Sequence, residues 1–596
     1  MELITPKDFL SANKYLKYLG GEAAAKRLMK LTKLDKFNEE YAKLTNLPAQ
    51  EFVENAIENL GFSCSVEESD LEKIPREGPF ITIHNHPYGG IDGLLLMKLL
   101  PPIRPDYKIL VNFLLTKLGP IENYFLAVNP FESYKDVKSS LSGLKEAFHH
   151  LRRGAPLGIY PAGEVSTYRF DQKRITDRKW QHSVVKFIKK AGLPVIPIYF
   201  HGHNSFKFHA LGMLNPLLRT VRLAAELMNK EGTEVKVRIG NPIQVKDQEK
   251  FSDIVEYSNF LRTKTYAFSV PILIQEKSEK KKESSPEQME EIVEAVPQKR
   301  IEEEIERIKE EYLLFKVQDN LVFCVPSPSI PNTMKEIGRL RELTYREVGE
   351  GTNNSIDIDE YDEYYEQLFI WDDEAKKIVG GYRVGKGKDI LAMHGIRGFY
   401  VDSLFRMRTA FLPVLRETIE LGRSFIVKEY QRKTHSLFLL WKGILYFLLK
   451  NPEYRYLMGP VSISNAFSDF AKSLLVTFIR ANYYNYEYAE MIKPRKAFKA
   501  RVDHAVNMHA FIKHTRNDVA KLDRFIQDIE PGYRTPVLLK KYLNLNAELI
   551  GFNVDPKFSN CLDGLMILDL LDVPIKTIES LSKELDDASI LERFKK

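Results

Sequence analysis

The segment 276–310, EKSEKKKESSPEQMEEIVEAVPQKRIEEEIERIKE, constrains the chain more than any other. It is the only low-complexity stretch in 596 residues, rich in Glu and Lys and free of aromatics. A run of that composition buries too little apolar surface to offset the ordering of its backbone, so it reads as a solvated helix or a flexible tether. The chain therefore divides into residues 1–270, a charged linker at 271–312, and residues 313–596. With 35 Phe and 29 Tyr, each half has the material for a large core.

Other features exclude whole classes of protein. Cys64, Cys324 and Cys561 lie too far apart for a disulfide framework or a structural zinc site, and no metal is expected. A reducing compartment is the natural setting. The start, MELITPKDFL, lacks the basic-then-apolar pattern of a secretory signal. The longest apolar stretch, Leu437–Leu449, is interrupted by Lys442 and falls short of the ~20 residues that a spanning helix needs. The expectation is a peripheral protein. Residues 151–200 carry 10 basic against 3 acidic side chains, with Lys173, Arg174, Arg178 and Lys179 close together. Such a patch suits anionic lipid headgroups or an acidic carrier protein, or is a solvated face. No zinc-finger, RRM or helix-turn-helix pattern accompanies it, so no nucleic-acid partner is expected.

In the first half, apolar runs at Phe80–Ile83, Ile109–Phe113, Tyr124–Val128, Leu157–Tyr160, Val195–Phe200 and Val235–Ile239 read as strands. Helical patterns near 92–100, 136–152 and 180–191 alternate with them, which predicts an α/β sheet with helices on its faces. In the second half a helix is expected at Met334–Val348 and a hairpin at Gln367–Trp371 and Lys377–Val384. Then follow strands at Gly398–Ser403, Ser424–Val427 and Arg455–Met458, with helices at 410–420 and 433–449. That order is an α+β layout around a mixed sheet.

The first strand of this series runs into His84-Asn85-His86-Pro87-Tyr88-Gly89-Gly90-Ile91-Asp92. Strand ends in α/β sheets are where sites gather. A neutral His86 can take a proton from an alcohol while the Asp92 carboxylate fixes its tautomer. Gly89 and Gly90 allow close backbone approach, and their N–H groups are candidate oxyanion donors. Asp92 is otherwise simply the N-cap of the next helix. The block Tyr160-Pro161-Ala162-Gly163-Glu164-Val165-Ser166 follows a later strand, and Leu193-Pro194-Val195-Ile196-Pro197-Ile198 closes another. These three blocks, over about 75–270, resemble the glycerolipid acyltransferase superfamily of the lysophosphatidate type. The resemblance implies that His86 is the general base, that Asp92 orients it, that Gly89 and Gly90 line the substrate, and that Pro161, Gly163 and Glu164 help bind the acceptor. The chain departs from the family pattern in three ways, the first being that the usual Pro-Glu-Gly-Thr-Arg block, with its arginine, is here Pro161-Ala162-Gly163-Glu164-Val165. Five residues separate His86 from Asp92 where four are usual, and no arginine occurs between Arg104 and Arg152. Arginine forks match phosphate oxygens, so their absence argues for an acceptor without a phosphate. His201-Gly202-His203-Asn204 reads as a pocket-edge loop.

The second half carries Leu340–Arg346 on a helix, then the acidic stretch Asp357, Asp359, Glu360, Asp362 and Glu363. Glu420-Leu421-Gly422-Arg423 and Tyr430-Gln431-Arg432-Lys433 come later, and the end has Pro536–Leu543 and Val554–Phe558. The series, over roughly 318–575, resembles the GNAT-type domain of ornithine-lipid synthases. An amine acceptor must lose a proton to attack, and Glu420 at a strand edge is the candidate base. Arg423 either pairs with Glu420 or grips an amino acid's carboxylate. Arg432, before a helix, is the candidate for a pantetheine phosphate.

An O-acyltransferase joined to an N-acyltransferase is the architecture of bifunctional lipoamino-acid synthases. The resemblance implies a bacterial enzyme on the cytoplasmic face of the inner membrane. Its second half N-acylates an amino acid with a 3-hydroxyacyl chain and its first half esterifies the 3-hydroxyl. Acyl-carrier protein or acyl-CoA is the co-substrate, with no other cofactor. The alternatives are a glycerophospholipid acyltransferase with an accessory GNAT-like domain, and an inactive membrane-binding protein.

Overall fold

The computed structural model describes residues 5–6, 21–31, 33–128, 137–214, 216–269, 289–348, 350–431, 434–501, 507–532, 534–558 and 560–594. The chain forms two compact units, each built on its own sheet.

Among the described residues the main sheet of the first unit has seven strands. They are β1 (Ser63–Val66), β2 (Ile81–His84), β3 (Lys108–Asn112), β4 (Phe125–Val128), β5 (Leu157–Ile159), β8 (Val195–Phe200) and β9 (Glu234–Ile239), in the order β1-β9-β8-β2-β5-β3-β4. Neighbours are parallel except β8 and β9. A separate hairpin pairs β6 (Thr167–Arg169) with β7 (Arg174–Thr176). Every residue of β2 and β8 is buried, as parallel strands covered on both faces require. One face is covered by the helices Ala49–Leu60 and Gly90–Leu99 through Phe52, Val53, Leu95 and Leu96. The other is covered by His182–Ala191 and Ile254–Tyr266 through Val185, Ile188, Phe260 and Leu261. The six expected strands are present. Among the described residues the missed ones are β1, whose sequence SCSV offers no apolar run, and the short hairpin strands β6 and β7.

The second unit has an eight-stranded sheet. Its strands are β10 (Leu313–Val317), β11 (Asn320–Pro326), β12 (Glu366–Asp372), β13 (Lys377–Lys386), β15 (Thr418–Ile426), β16 (Tyr456–Ile463), β18 (Glu548–Asp555) and β19 (Cys561–Asp569). The order is β10-β11-β12-β13-β15-β16-β19-β18. A small pair, β14 (Phe405–Met407) and β17 (Ile492–Pro494), stands apart. All neighbours in the large sheet are antiparallel except β15 and β16, whose parallel pairing covers only Thr418–Glu420 against Tyr456–Met458. Both strands run on beyond that point, so they splay apart. The expected strand at Gly398–Ser403 is instead two short 3-10 turns, Ile396–Gly398 and Tyr400–Ser403. The expected helix at 410–420 shortens to Leu412–Arg416, because β15 already begins at Thr418.

Two segments depart from the expected division of the chain. The helix Gln298–Tyr312, within the expected linker, buries Ile301, Ile305 and Ile308 in the second unit's core. Its Glu304 accepts hydrogen bonds from the Asn332 and Thr333 amides at the start of the helix Pro331–Glu347. Charge dominates the composition there, but isoleucines at helical spacing make one apolar stripe. Residues 503–514 and 528–531, expected in the second half, group with the first unit. Ala510 joins the cluster that contains Phe251 and Phe260, and the His514 ring lies 4.5 Å from that of Phe260.

Candidate active sites

His86 sits just past the C-terminal end of β2, in the middle of the first unit's sheet. Its Nδ1 is 2.9 Å from Asp92 Oδ2. The same oxygen accepts the N–H groups of Tyr88 and Gly89 at 3.0 Å each. Gly89 takes φ +93°, in the region that favours glycine, and that turn brings Asp92 in the first helical turn back to the ring. The extra residue between His86 and Asp92 is absorbed there. Asp92 is fully buried, and burial pushes its carboxyl up against the pull of these three donors. The Nδ1 contact leaves Nε2 as the proton-accepting atom of the His86 ring. Tyr160 packs on that ring, with centroids 4.1 Å apart.

Gly89 gives its N–H to Asp92, which withdraws it from the expected oxyanion donors. Gly90, in the helix's first turn, keeps the position for one. Pro161 and Gly163 form the turn after β5. The Pro161 carbonyl accepts the Gln181 N–H, and Gly163 has φ +69° with the Gln181 side chain against it. Glu164 pairs with Arg178 at 3.3 Å. Arg104 is buried and bound to Asp106 and to three backbone carbonyls, so it is a structural cation. The His201–Asn204 loop braces the site: Tyr88 donates its hydroxyl to the His201 carbonyl, and Asn204 donates to the Tyr88 carbonyl. His84 is buried and held far into its neutral form, at about 3, by burial and by the neighbouring His86.

In the second unit, the splay of β15 from β16 opens a cavity of about 280 Å³. Leu421–Ser424 and Gly459–Ser462 line its two sides, and Glu350, Asp555, Phe558 and Asp563 lie around it. A Cβ on Gly459 would sit 2.2 Å from the Leu421 carbonyl oxygen, so only glycine fits where the strands begin to part. Arg423 lies in a bulge of β15 with φ +48°, a strained conformation for a side-chain-bearing residue. Its guanidinium is held by Asp357 and Asp359, each at 3.1 Å, and stacks on Tyr400 and Phe558. It does not pair with Glu420.

Glu420 is not at a strand edge. It lies in the interior of β15, paired in register with Gly385 on one side and Met458 on the other, and is fully buried. It accepts the Tyr365 hydroxyl and the N–H groups of Tyr400 and Val401, while burial pushes it up to about 7 against those donors. This carboxylate fixes the turn Tyr400–Ser403 against the sheet and does not line the cavity. Three carboxylates do, Glu350, Asp555 and Asp563, and Asp563 on β19 is hydrogen-bonded by Ser462 Oγ at 2.8 Å. Burial, with Asp555 and Glu350 nearby, pushes Asp563 up to about 7 against that bond. The acidic stretch neutralises buried arginines: Asp362 takes Arg341 and Arg383, which hold it down at about 2 against the opposing pull of burial. Arg432 and Lys433 lie outside the described residues. Trp441 is buried core.

Comparison with known proteins separates the halves in the same way. Residues 12–272 match the acyltransferase family and residues 340–442 the acetyltransferase (GNAT) domain family. A glycine N(alpha)-acyltransferase of Bacteroides thetaiotaomicron is 30% identical over 273 residues, 44% of this chain and 80% of its own. A lyso-glycine lipid O-acyltransferase of Phocaeicola vulgatus is 25% identical over 224 residues, 36% of this chain and 77% of its own. The chain belongs to the lipoamino-acid acyltransferases. It is an acyl-transfer enzyme with an acyltransferase domain followed by a GNAT domain.

Three candidate site residues of this lipoamino-acid acyltransferase escape sequence reasoning. Asp177 is buried and accepts the His86 N–H at 3.1 Å, the Ser166 hydroxyl at 2.6 Å and the Trp180 indole N–H. Lys230 is buried with its ammonium 4.9 Å from the centre of the Tyr88 ring, donating to the His203 carbonyl. Burial lowers its pKa, while Glu226 and Asp92 raise it. Asp563 is the third. None belongs to a local motif: Asp177 follows β7, Lys230 follows the helix Pro216–Leu227, and Asp563 is placed by the register of β19.

Proposed function

We propose that the enzyme makes a diacylated, phosphorus-free glycine lipid in two steps. In the GNAT unit, Asp563 takes a proton from the glycine amine. The amine nitrogen then attacks the thioester carbon of a 3-hydroxyacyl donor, a C–N bond forms, the C–S bond breaks, and the carrier thiol leaves with a proton. In the first unit, His86 Nε2 removes the 3-hydroxyl proton of that product while Asp92 supports the imidazolium. The alkoxide attacks a second acyl thioester, and His86 returns the proton to the departing thiolate. A general base contributes about 10²–10⁴-fold.

The hydrogen bond between His86 Nδ1 and Asp92 carries the reading, because it sets the ring to accept a proton from an alcohol. The names of the two kinds of relative support glycine as the amino acid and the two-step order. Arg104, bound within the protein, is consistent with an acceptor lacking a phosphate. The donor is an acyl-carrier protein or CoA thioester. Among the described residues no helix is long and apolar enough to cross a membrane, and we place the enzyme peripherally on the cytoplasmic face of a bacterial inner membrane. Purified enzyme given glycine, 3-hydroxyacyl-carrier protein and a second acyl-carrier protein should yield first an N-acylglycine and then its O-acylated form by mass spectrometry. Acylated lysophosphatidate in its place would overturn the reading.

A further inference from the structure

The hairpin of β6 and β7 stands apart from the seven-stranded sheet, and a lone two-stranded hairpin is marginal in water. It is held by its base. Ser166, just before β6, donates its N–H to the His86 carbonyl at 2.8 Å, and Asp177, just after β7, accepts the His86 N–H. The hairpin is therefore rooted on the backbone of the residue that acts on the acceptor.

Its tip carries Phe170, 72% exposed, and the helix Phe206–Leu214, which lies beside β6, starts with Phe206, 81% exposed. These are the two most exposed large apolar side chains among the described residues. Single exposed apolar residues are ordinary. Here two protruding aromatics are flanked by Arg169, Lys173 and Arg174 on the hairpin and by Lys207 next to Phe206. Asp171 is the only acid between 165 and 176, and it is paired with Arg169. Aromatic points ringed by cations have the composition of an interfacial anchor on anionic lipid. Protruding points also suit a fluid surface better than the preformed face of a protein.

We propose that Phe170 and Phe206 insert into an anionic bilayer and so bring His86 to an acceptor lying in that surface. The bilayer as the source of the acceptor rests on the proposed function, while the docking itself does not.

The test uses the full chain without substrate and vesicles of phosphatidylglycerol and phosphatidylethanolamine. Phe170→Asp combined with Phe206→Asp should lower the vesicle-bound fraction constant by roughly tenfold or more. Phe170→Leu should bind as the parent does, and neutral phosphatidylcholine vesicles should bind every form weakly. Activity on a short-chain, water-soluble acceptor should be unchanged in the double variant, while activity on a long-chain acceptor in vesicles falls. If the double variant does not fold, an environment-sensitive dye on Asp171→Cys answers the same question: its emission shifts to the blue on adding anionic vesicles if the tip inserts. Unchanged vesicle binding, an unshifted dye, or a raised KM for acyl-carrier protein with unaltered vesicle binding would each overturn the proposal. Docking without any acyl transfer by the parent enzyme would instead count against the proposed reaction alone.

Discussion

The two sites are assembled over very different distances along the chain. His86 and Asp92 are six residues apart, joined by one glycine turn that returns the carboxylate to the ring. In the second unit, Arg423, Ser462, Asp555 and Asp563 come from four strands and meet only because β15 and β16 part after Glu420 and Met458. A site built on a turn announces itself as a motif, whereas a site built on strand register does not. Glu420 illustrates the cost of reading the second kind as the first. It stands next to recognisable residues, yet its carboxylate is used up holding the Tyr400–Ser403 turn.

That contrast is broken most directly at His86. His86→Ala should lower O-acylation by about 10²–10⁴-fold and leave the N-acylated intermediate to accumulate. Product ratios by mass spectrometry check this, and equal loss of both products would mean that the two sites do not act separately.

Phe511, 1% exposed, tests whether the C-terminal excursion belongs to the first unit. Phe511→Ala should cost about 3–5 kcal/mol in denaturant unfolding and should destabilise the acyltransferase unit first. An unchanged first transition would remove that segment from the unit's core.

Asp563→Asn should lower N-acylation by roughly 10²-fold, and Glu420→Gln by much less. Burial raises the Asp563 carboxyl to about 7, so its base form grows as pH rises through about 7, and N-acylation should rise with it. The rise should vanish in Asp563→Asn and survive in Glu420→Gln. Because Glu420 also lies at about 7, the reverse outcome would return the role to Glu420.

The smallest effect is expected at Asp177, which positions His86 through its backbone. Asp177→Asn should lower kcat for O-acylation by about tenfold with KM nearly unchanged, as a small misplacement of a catalytic group does. A change in KM alone would make it a binding residue.

These outcomes bear on how much could be read from residues alone. The central strands of the first unit were legible because buried parallel strands are continuous apolar runs, as in Val195–Phe200. β18 and β19 were not, since Gly551 and Gly564 interrupt their apolar pattern, and the strand that joins this adjacent pair to the rest of the sheet, β16, lies about 100 residues earlier. His86 and Asp92 were legible as a pair, but the loss of the Gly89 N–H to Asp92 was not, because it depends on a turn's geometry. The packed helix Gln298–Tyr312 was hidden by its own charge: three isoleucines suffice for a buried stripe in a segment whose composition reads as solvated.

The grouping of residues 503–514 with the first unit also fixes a schedule. Phe511 leaves the ribosome 245 residues after Tyr266, the last residue of a helix in the same unit. At synthesis rates of about 5–20 residues per second, the amino-terminal unit waits roughly 12–50 s for the piece that finishes its core. Throughout that interval the faces of Phe251 and Phe260 that will meet His514 have no cover, and a nascent chain in that condition is a client for chaperones. A message broken before codon 507 lacks the Ala510 and His514 that pack with Phe251 and Phe260, so on the proposed division of labour O-acylation is expected to mature only after most of the GNAT sequence has been made.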